Sequence, residues 1–243
     1  MTPTPYPQHF SSAHGRARVV KILLGAGAVV AALAVIAEGI SFTLPPLVED
    51  QELNSPAAIA VNLLMVFLGL LQVLVYVGTA VAFLIWHYRA YSNLKAFNPA
   101  GGLDHSPGWA VGFFFIPFVN LVMPYRTVRE VWQKSGEPSA MFLQLPDPPA
   151  LFPVWWTFWL LASFASRISS RLSFSEDVDQ NTLAIVAVVA NGLAILAAVF
   201  AYMVVQAIDE RQEETSQKLG LGRYPAPPPP PASLSIQNEI NPM

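Results

Sequence analysis

Apolar residues in this chain come in long runs, not in alternation. Residues 19–44, 59–86 and 183–205 each provide the roughly 20 mainly apolar residues that a helix needs to cross about 30 Å of hydrocarbon. A fourth run, 151–172, is apolar through Ser166 and then carries Arg167 and Arg171. It spans only if those arginines lie at its end and reach toward the headgroups. Residues 108–125 are equally apolar, but Pro117 and Pro124 lack backbone donors and Asn120 adds an amide. That segment predicts a proline-broken stretch that re-enters or lies along the surface, covered by neighbouring helices. The period then changes over 125–135. Tyr125, Val128, Val131 and Trp132 share one helical face, with Arg126, Arg129, Glu130, Gln133 and Lys134 opposite. Arg126 with Glu130, and Glu130 with Lys134, are i,i+4 pairs, so a short interfacial amphipathic helix is expected.

The ends lack any such period. Residues 1–18 hold Pro3, Pro5 and Pro7, and residues 207–243 hold a charged stretch followed by the run Pro227 to Pro231. Both read as disordered tails around one membrane domain, 19–206. The proline run is read as a spacer, with docking into an aromatic-lined groove as the alternative. Composition decides what the apolar runs face: 53% hydrophobic residues against 12% charged implies lipid. The expected fold is therefore an all-α integral membrane protein with four transmembrane helices plus the broken segment. Arg16, Arg18 and Lys21 before the first run, and Val35-Ile36-Ala37 within it, loosely imitate a signal peptide. The run exceeds the usual h-region and fits a retained anchor better.

Positive charge sets the orientation. If 108–125 does not cross and the N-terminus is cytoplasmic, 11 of the 13 Lys and Arg lie inside, with Arg167 and Arg171 outside. If it crosses, the balance drops to 7 against 6. Four spans with both termini cytoplasmic are the expectation.

Candidate chemistry is sparse. The four histidines, His9, His14, His87 and His105, have no i,i+4 partner, and the chain has no cysteine, so neither a metal site nor a cofactor is indicated. Walker, G-x-S-x-G and G-x-G-x-x-G signatures are absent from the sequence, which implies no catalytic residues and no enzyme. The small net charge of -3 and scattered basic residues point away from nucleic acid. His87, beside Trp86, Tyr88 and Tyr91, reads as part of an interfacial aromatic belt. Asn62, Gln72 and Asn191 within the spans read as interhelical hydrogen-bonding groups.

Arg89 and Asn93 lie one turn apart just past the second span. They can hold a lipid phosphate or satisfy carbonyls freed around Pro117, and the second role is expected because that backbone must find partners. Glu38 and Arg167, at similar outer depth, are expected to pair, with Ser163, Arg167 and Arg171 turned into the bundle; the alternative is that each reaches water separately. With Asn120 and Glu130, these complete the polar candidates.

The block Trp86-His87-Tyr88-Arg89, Asn93, Ser106-Pro107-Gly108-Trp109, Phe115-Ile116-Pro117, Asn120-Leu121, Pro124-Tyr125 and Glu130-Val131-Trp132, continuing through Pro153 and Trp155, resembles the core of a family known as domain of unknown function 4328. The resemblance implies a multi-pass bacterial membrane protein, hence the cytoplasmic membrane, and assigns no activity. Two functions are carried forward. One is a non-enzymatic scaffold whose cytoplasmic Pro-rich tail recruits proteins. The other is a small transporter or lipid-handling protein that uses the segment around Pro117.

Overall fold

The computed structural model describes residues 10–43, 56–99, 102–136, 146–175 and 177–221. Among them every regular element is helical: α1 (His14–Thr43), α2 (Pro56–Phe97), α3 (Pro107–Gly112), a 3-10 turn (Val119–Leu121), α4 (Met123–Lys134), α5 (Leu151–Leu172) and α6 (Gln180–Lys218).

Local chemistry explains the boundaries. α2 stops at Phe97 because Pro99 restricts the residue before it and cannot extend the hydrogen-bond ladder. Ser106 caps α3, its Oγ accepting from the Trp109 N–H, and Pro107 occupies the first helical position. Asp179 caps α6 by accepting from the Thr182 N–H, and these bonds hold its carboxyl below the ordinary carboxylate pKa. At the other end of α6, Gly220 adopts φ +65, and the Leu221 N–H closes onto Ser216 O at 2.8 Å. This is a glycine stop of Schellman type, a conformation that a Cβ would strain.

Several sequence expectations need correction. α1 begins at His14, inside the stretch expected to be an N-terminal tail, while α2 runs past the expected span end at 86 to Phe97, an extension that carries Arg89 and Asn93. α6 runs to Lys218, well past the expected end at 205, so residues 207–218 are helix and not tail. The proline run 227–231 lies outside the described residues. The broken segment stops being helical at Gly112, before Pro117, and passes through turns. There Phe118 sits at φ +62 beneath a Val119 N–H to Pro117 O bond of 2.8 Å, a strained γ-turn for a bulky residue. Among the described residues three helices, not four, are long and apolar enough to cross a membrane: His14–Ile40, Leu63–Phe97 and Gln180–Lys218. α5 has the length, but its three tryptophans, its serines and its two arginines dilute the run.

The long helices neighbour one another in the order α2–α1–α6–α5. α1 packs antiparallel to α2, with Gly27 meeting Val75, and antiparallel to α6, with Lys21 above the Tyr202 ring. α5 packs antiparallel to α6 through Phe158 and Phe200. α5 thus carries the chain from the end where α4 lies back to the end where α6 begins.

The core is concentrated at one end. Ala17, Trp86, Tyr91, Phe97, Val128, Val131, Phe152, Val205 and Ile208 are buried where α1 starts, α2 and α6 finish, and α4 and α5 meet them. Away from this end little is covered. Only 6% of the most apolar 18-residue stretch of α2 is buried, and residues such as Leu63, Phe67, Leu70 and Leu74 are exposed. Such a surface suits hydrocarbon, which satisfies apolar side chains without protein packing. At 42 residues, α2 is roughly 63 Å long, about twice the hydrocarbon thickness of a bilayer, long enough for its Trp86–Phe97 end to project from a bilayer spanned by its exposed half.

Candidate functional site

Polar side chains at the projecting end form a connected clamp. Asn93 on α2 is 1% exposed; its Nδ2 donates to Ser11 O (3.1 Å) and Gln212 Oε1 (3.2 Å), while its Oδ1 accepts from the Ser11 N–H. Gln212 Nε2 donates to Ala90 O and Ser135 Oγ, both at 2.9 Å, and the Thr215 hydroxyl donates to Ser135 O at 2.8 Å. Arg89 Nε adds a bond to Ser11 O at 3.2 Å. One buried network therefore ties together the start of α1 and helices α2, α4 and α6. Each partner prevents another from becoming a buried unsatisfied group.

A second cluster joins α2 to α4 and the loop before α3. Tyr91 donates to Glu130 Oε2, and Glu130 Oε1 accepts from the Asp104 N–H (2.9 Å) and from Lys134 Nζ (2.6 Å). Lys134 also reaches Asp104 Oδ1 at 2.9 Å. Burial alone would push the Lys134 ammonium toward its neutral form. Its bonds to Glu130 and Asp104 outweigh this and hold its pKa above the ordinary lysine value.

His87 is fully buried, so it does not belong to an exposed aromatic belt; neighbouring Tyr88 is the exposed ring. Its Nε2 lies 3.1 Å from Thr127 Oγ1, whose hydroxyl proton goes to Pro124 O. Thr127 must therefore accept, which places the imidazole proton on Nε2 and leaves Nδ1 as a bare acceptor. Nδ1 and the buried indole nitrogens of Trp86 and Trp155 have no hydrogen-bond partner. Phe83 and Phe114 surround this group, their rings 5.8 Å apart.

An open cleft of about 420 Å³ lies between α1 and α6, lined by Ser12, His14, Lys21, Asp209, Glu210, Glu213 and Gln217. Asp209 is buried; its Oδ2 lies 2.8 Å from His14 Nδ1 and 3.9 Å from Lys21 Nζ. Ser12 donates to Glu213. Among the described residues no three His, Cys, Asp or Glu side chains gather to hold a metal ion.

The sequence candidates fare unevenly. Arg89 and Asn93 do come together, but they clamp Ser11 instead of the broken segment. That segment's Leu121 carbonyl is taken by Trp156 Nε1 at 2.9 Å. Asn120 is half-buried in the 3-10 turn. Glu130 forms the expected pair with Lys134, while Arg126 is exposed. The apolar stripe of α4 faces protein, Val128 and Val131 being fully buried, and so does not lie against lipid. Glu38 and Arg167 do not form an ion pair. α6 lies between α1 and α5, and Arg167 and Arg171 face outward. Gln72 Nε2 does donate to Asn191 Oδ1, at 2.8 Å, as the interhelical reading required. The Asn62 side chain lies outside the described residues.

Gln212, Thr215, Ser135 and Asp209 were missed. Val205, Ile208, Gln212 and Thr215 continue the buried face of α6 at 3- and 4-residue spacing, a signal hidden because the stripe turns polar.

The sequence model for the domain of unknown function (DUF4328) matches residues 49–210, about two thirds of the chain. No curated protein and no solved structure matches it.

Proposed function

The chain belongs to the DUF4328 family, and from that premise we propose that it is a non-enzymatic scaffold of the bacterial cytoplasmic membrane, with both termini on the cytoplasmic side. The observation that carries this reading is the polar clamp. Its amides, hydroxyls and carboxylates bond one another and brace a rigid end of the bundle, and do not converge on an open reaction centre. In this reading α1, α2 and α6 cross the bilayer as apolar helices. α5 crosses beside α6 as the return leg, its arginines reaching the far headgroups. Among the described residues, ten basic side chains lie toward the clamp end against Arg167 and Arg171 toward the other, which supports the orientation.

The braced end then presents the Pro-rich tail to cytoplasmic proteins. Affinity capture from native membranes, using the full chain and a chain ending at residue 221, tests this. A set of proteins held stoichiometrically by the first and lost from the second is expected. Identical, substoichiometric recoveries from both would defeat the scaffold reading. The transporter reading gains less support, because the broken segment near Pro117 is pinned by Trp156 and packed against Phe83 through Phe114.

A further inference from the structure

Arg16 and Arg89 lie on neighbouring antiparallel helices at matched depth. Val19 is the first exposed aliphatic residue of α1 and Ile85 the last of α2. At 1.5 Å per residue, Arg16 falls about 4.5 Å below Val19 and Arg89 about 6 Å below Ile85. That is the phosphate level of a bilayer whose hydrocarbon ends at those two residues.

The local electrostatics are unusual. Arg89 Nε donates to Ser11 O, which fixes the plane of the guanidinium and leaves its terminal nitrogens for another acceptor. Partial burial is the main influence on the Arg89 guanidinium, and the like charge of Arg16 adds to it. Like charges held together repel unless an anion sits with them. Among the described residues neither arginine makes an ion pair. Most carboxylates at this end have other partners: Asp209 has His14 and Lys21, Glu213 has Ser12, Glu130 has Tyr91 and Lys134, and Glu210 has Gln206, while the field of Glu214 falls on Arg211. Exposed Tyr88 flanks the pair with a ring suited to the membrane interface.

We propose that Arg16 and Arg89 form a seat for the phosphodiester of an anionic lipid headgroup in the leaflet nearest the clamp. Two guanidinium forks match the oxygens of one phosphate, and Val19 and Ile85 above them meet the acyl chains. The seat rests on the membrane reading given above. Because Arg89 is anchored to Ser11, an occupied seat also fastens the start of α1 to α2.

The test is native mass spectrometry of the purified full-length chain in detergent, titrated with phosphatidylglycerol. Phosphatidylcholine and free glycerol 3-phosphate serve as comparison ligands. The wild type should retain phosphatidylglycerol in preference to phosphatidylcholine. Arg16→Gln and Arg89→Gln should each weaken retention about tenfold, the worth of one charge-assisted hydrogen bond. Arg126→Gln, an exposed arginine on α4, should leave retention unchanged. Arg16 is exposed at the start of a helix, so its substitution leaves the core intact and a result there cannot be blamed on unfolding. Undiminished retention by the Arg16→Gln, Arg89→Gln double variant would overturn the proposal. So would equal retention of phosphatidylcholine, or displacement of the lipid by glycerol 3-phosphate at comparable concentration. The detergent assay is blind to sidedness, so a reversed topology would leave its result standing, and failure here would leave the topology standing.

Discussion

Gln212 and Asn93 each make three bonds in the polar clamp. The Gln212 carboxamide accepts from Asn93 and donates to Ala90 O and Ser135 Oγ, all within 2% of full burial. Gln212→Ala removes one bond each from the Ala90 carbonyl, the Ser135 hydroxyl and the Asn93 amide inside the core, at a cost of about 1–3 kcal/mol. Thermal unfolding in detergent should register that loss. Gln206→Ala on the same helix, whose partner is the exposed Glu210, should stay within about 0.5 kcal/mol of wild type. Equal effects would mean that the clamp does not hold the core. Glu130 shows the same principle with charge: a buried carboxylate persists because Tyr91, Lys134 and the Asp104 N–H each supply a donor.

α6 is the helix on which the others are assembled, since α1 and α5 pack on opposite sides of it. Its last third looks like a soluble tail in the sequence, yet Ile208, Asp209, Gln212, Thr215 and Ser216 are all buried. A chain ending at residue 221 should therefore keep the wild-type unfolding temperature and elute as a single species in detergent. A chain ending at residue 206 should lose both properties. If the shorter chain is equally stable, the buried face of α6 beyond Val205 contributes nothing. α3 and the turns after it make the converse point. Pro117 does not itself end the helix, which stops at Gly112; it helps keep the chain out of helical form until Met123.

For the bundle as an assembly, the decisive feature is the division between a packed polar end and bare apolar halves. α5 has to return the chain between those ends, although its composition alone does not qualify it as a span. The chain has no cysteine, so single replacements report cleanly. In intact spheroplasts an impermeant thiol reagent should modify Ser175→Cys, beyond the end of α5, and should spare Ser139→Cys. Modification of both sites, or of neither, would place the two ends of α5 on one side of the membrane. Modification of position 139 alone would invert the orientation.

Membrane character, the helical class, the interruption within 108–125 and the amphipathic helix after it follow from local pattern. Each depends on hydropathy or backbone chemistry within one or two turns. Gln72 and Asn191 were also legible, because an amide inside an apolar run must find another polar group. The partners at the clamp were not legible: Asn93 meets Gln212 across 119 residues, and neither side chain carries a local mark of the other. Nor does the period of α4 tell whether its apolar stripe meets lipid or protein, since both reward the same residues. Packing settles that question, as it does the continuation of α6 and the separation of Glu38 from Arg167 by an intervening helix. A burial pattern is written in the chain wherever its cause is water or hydrocarbon averaged over a helical turn. Which polar groups meet depends on distances that exist only once the helices have packed.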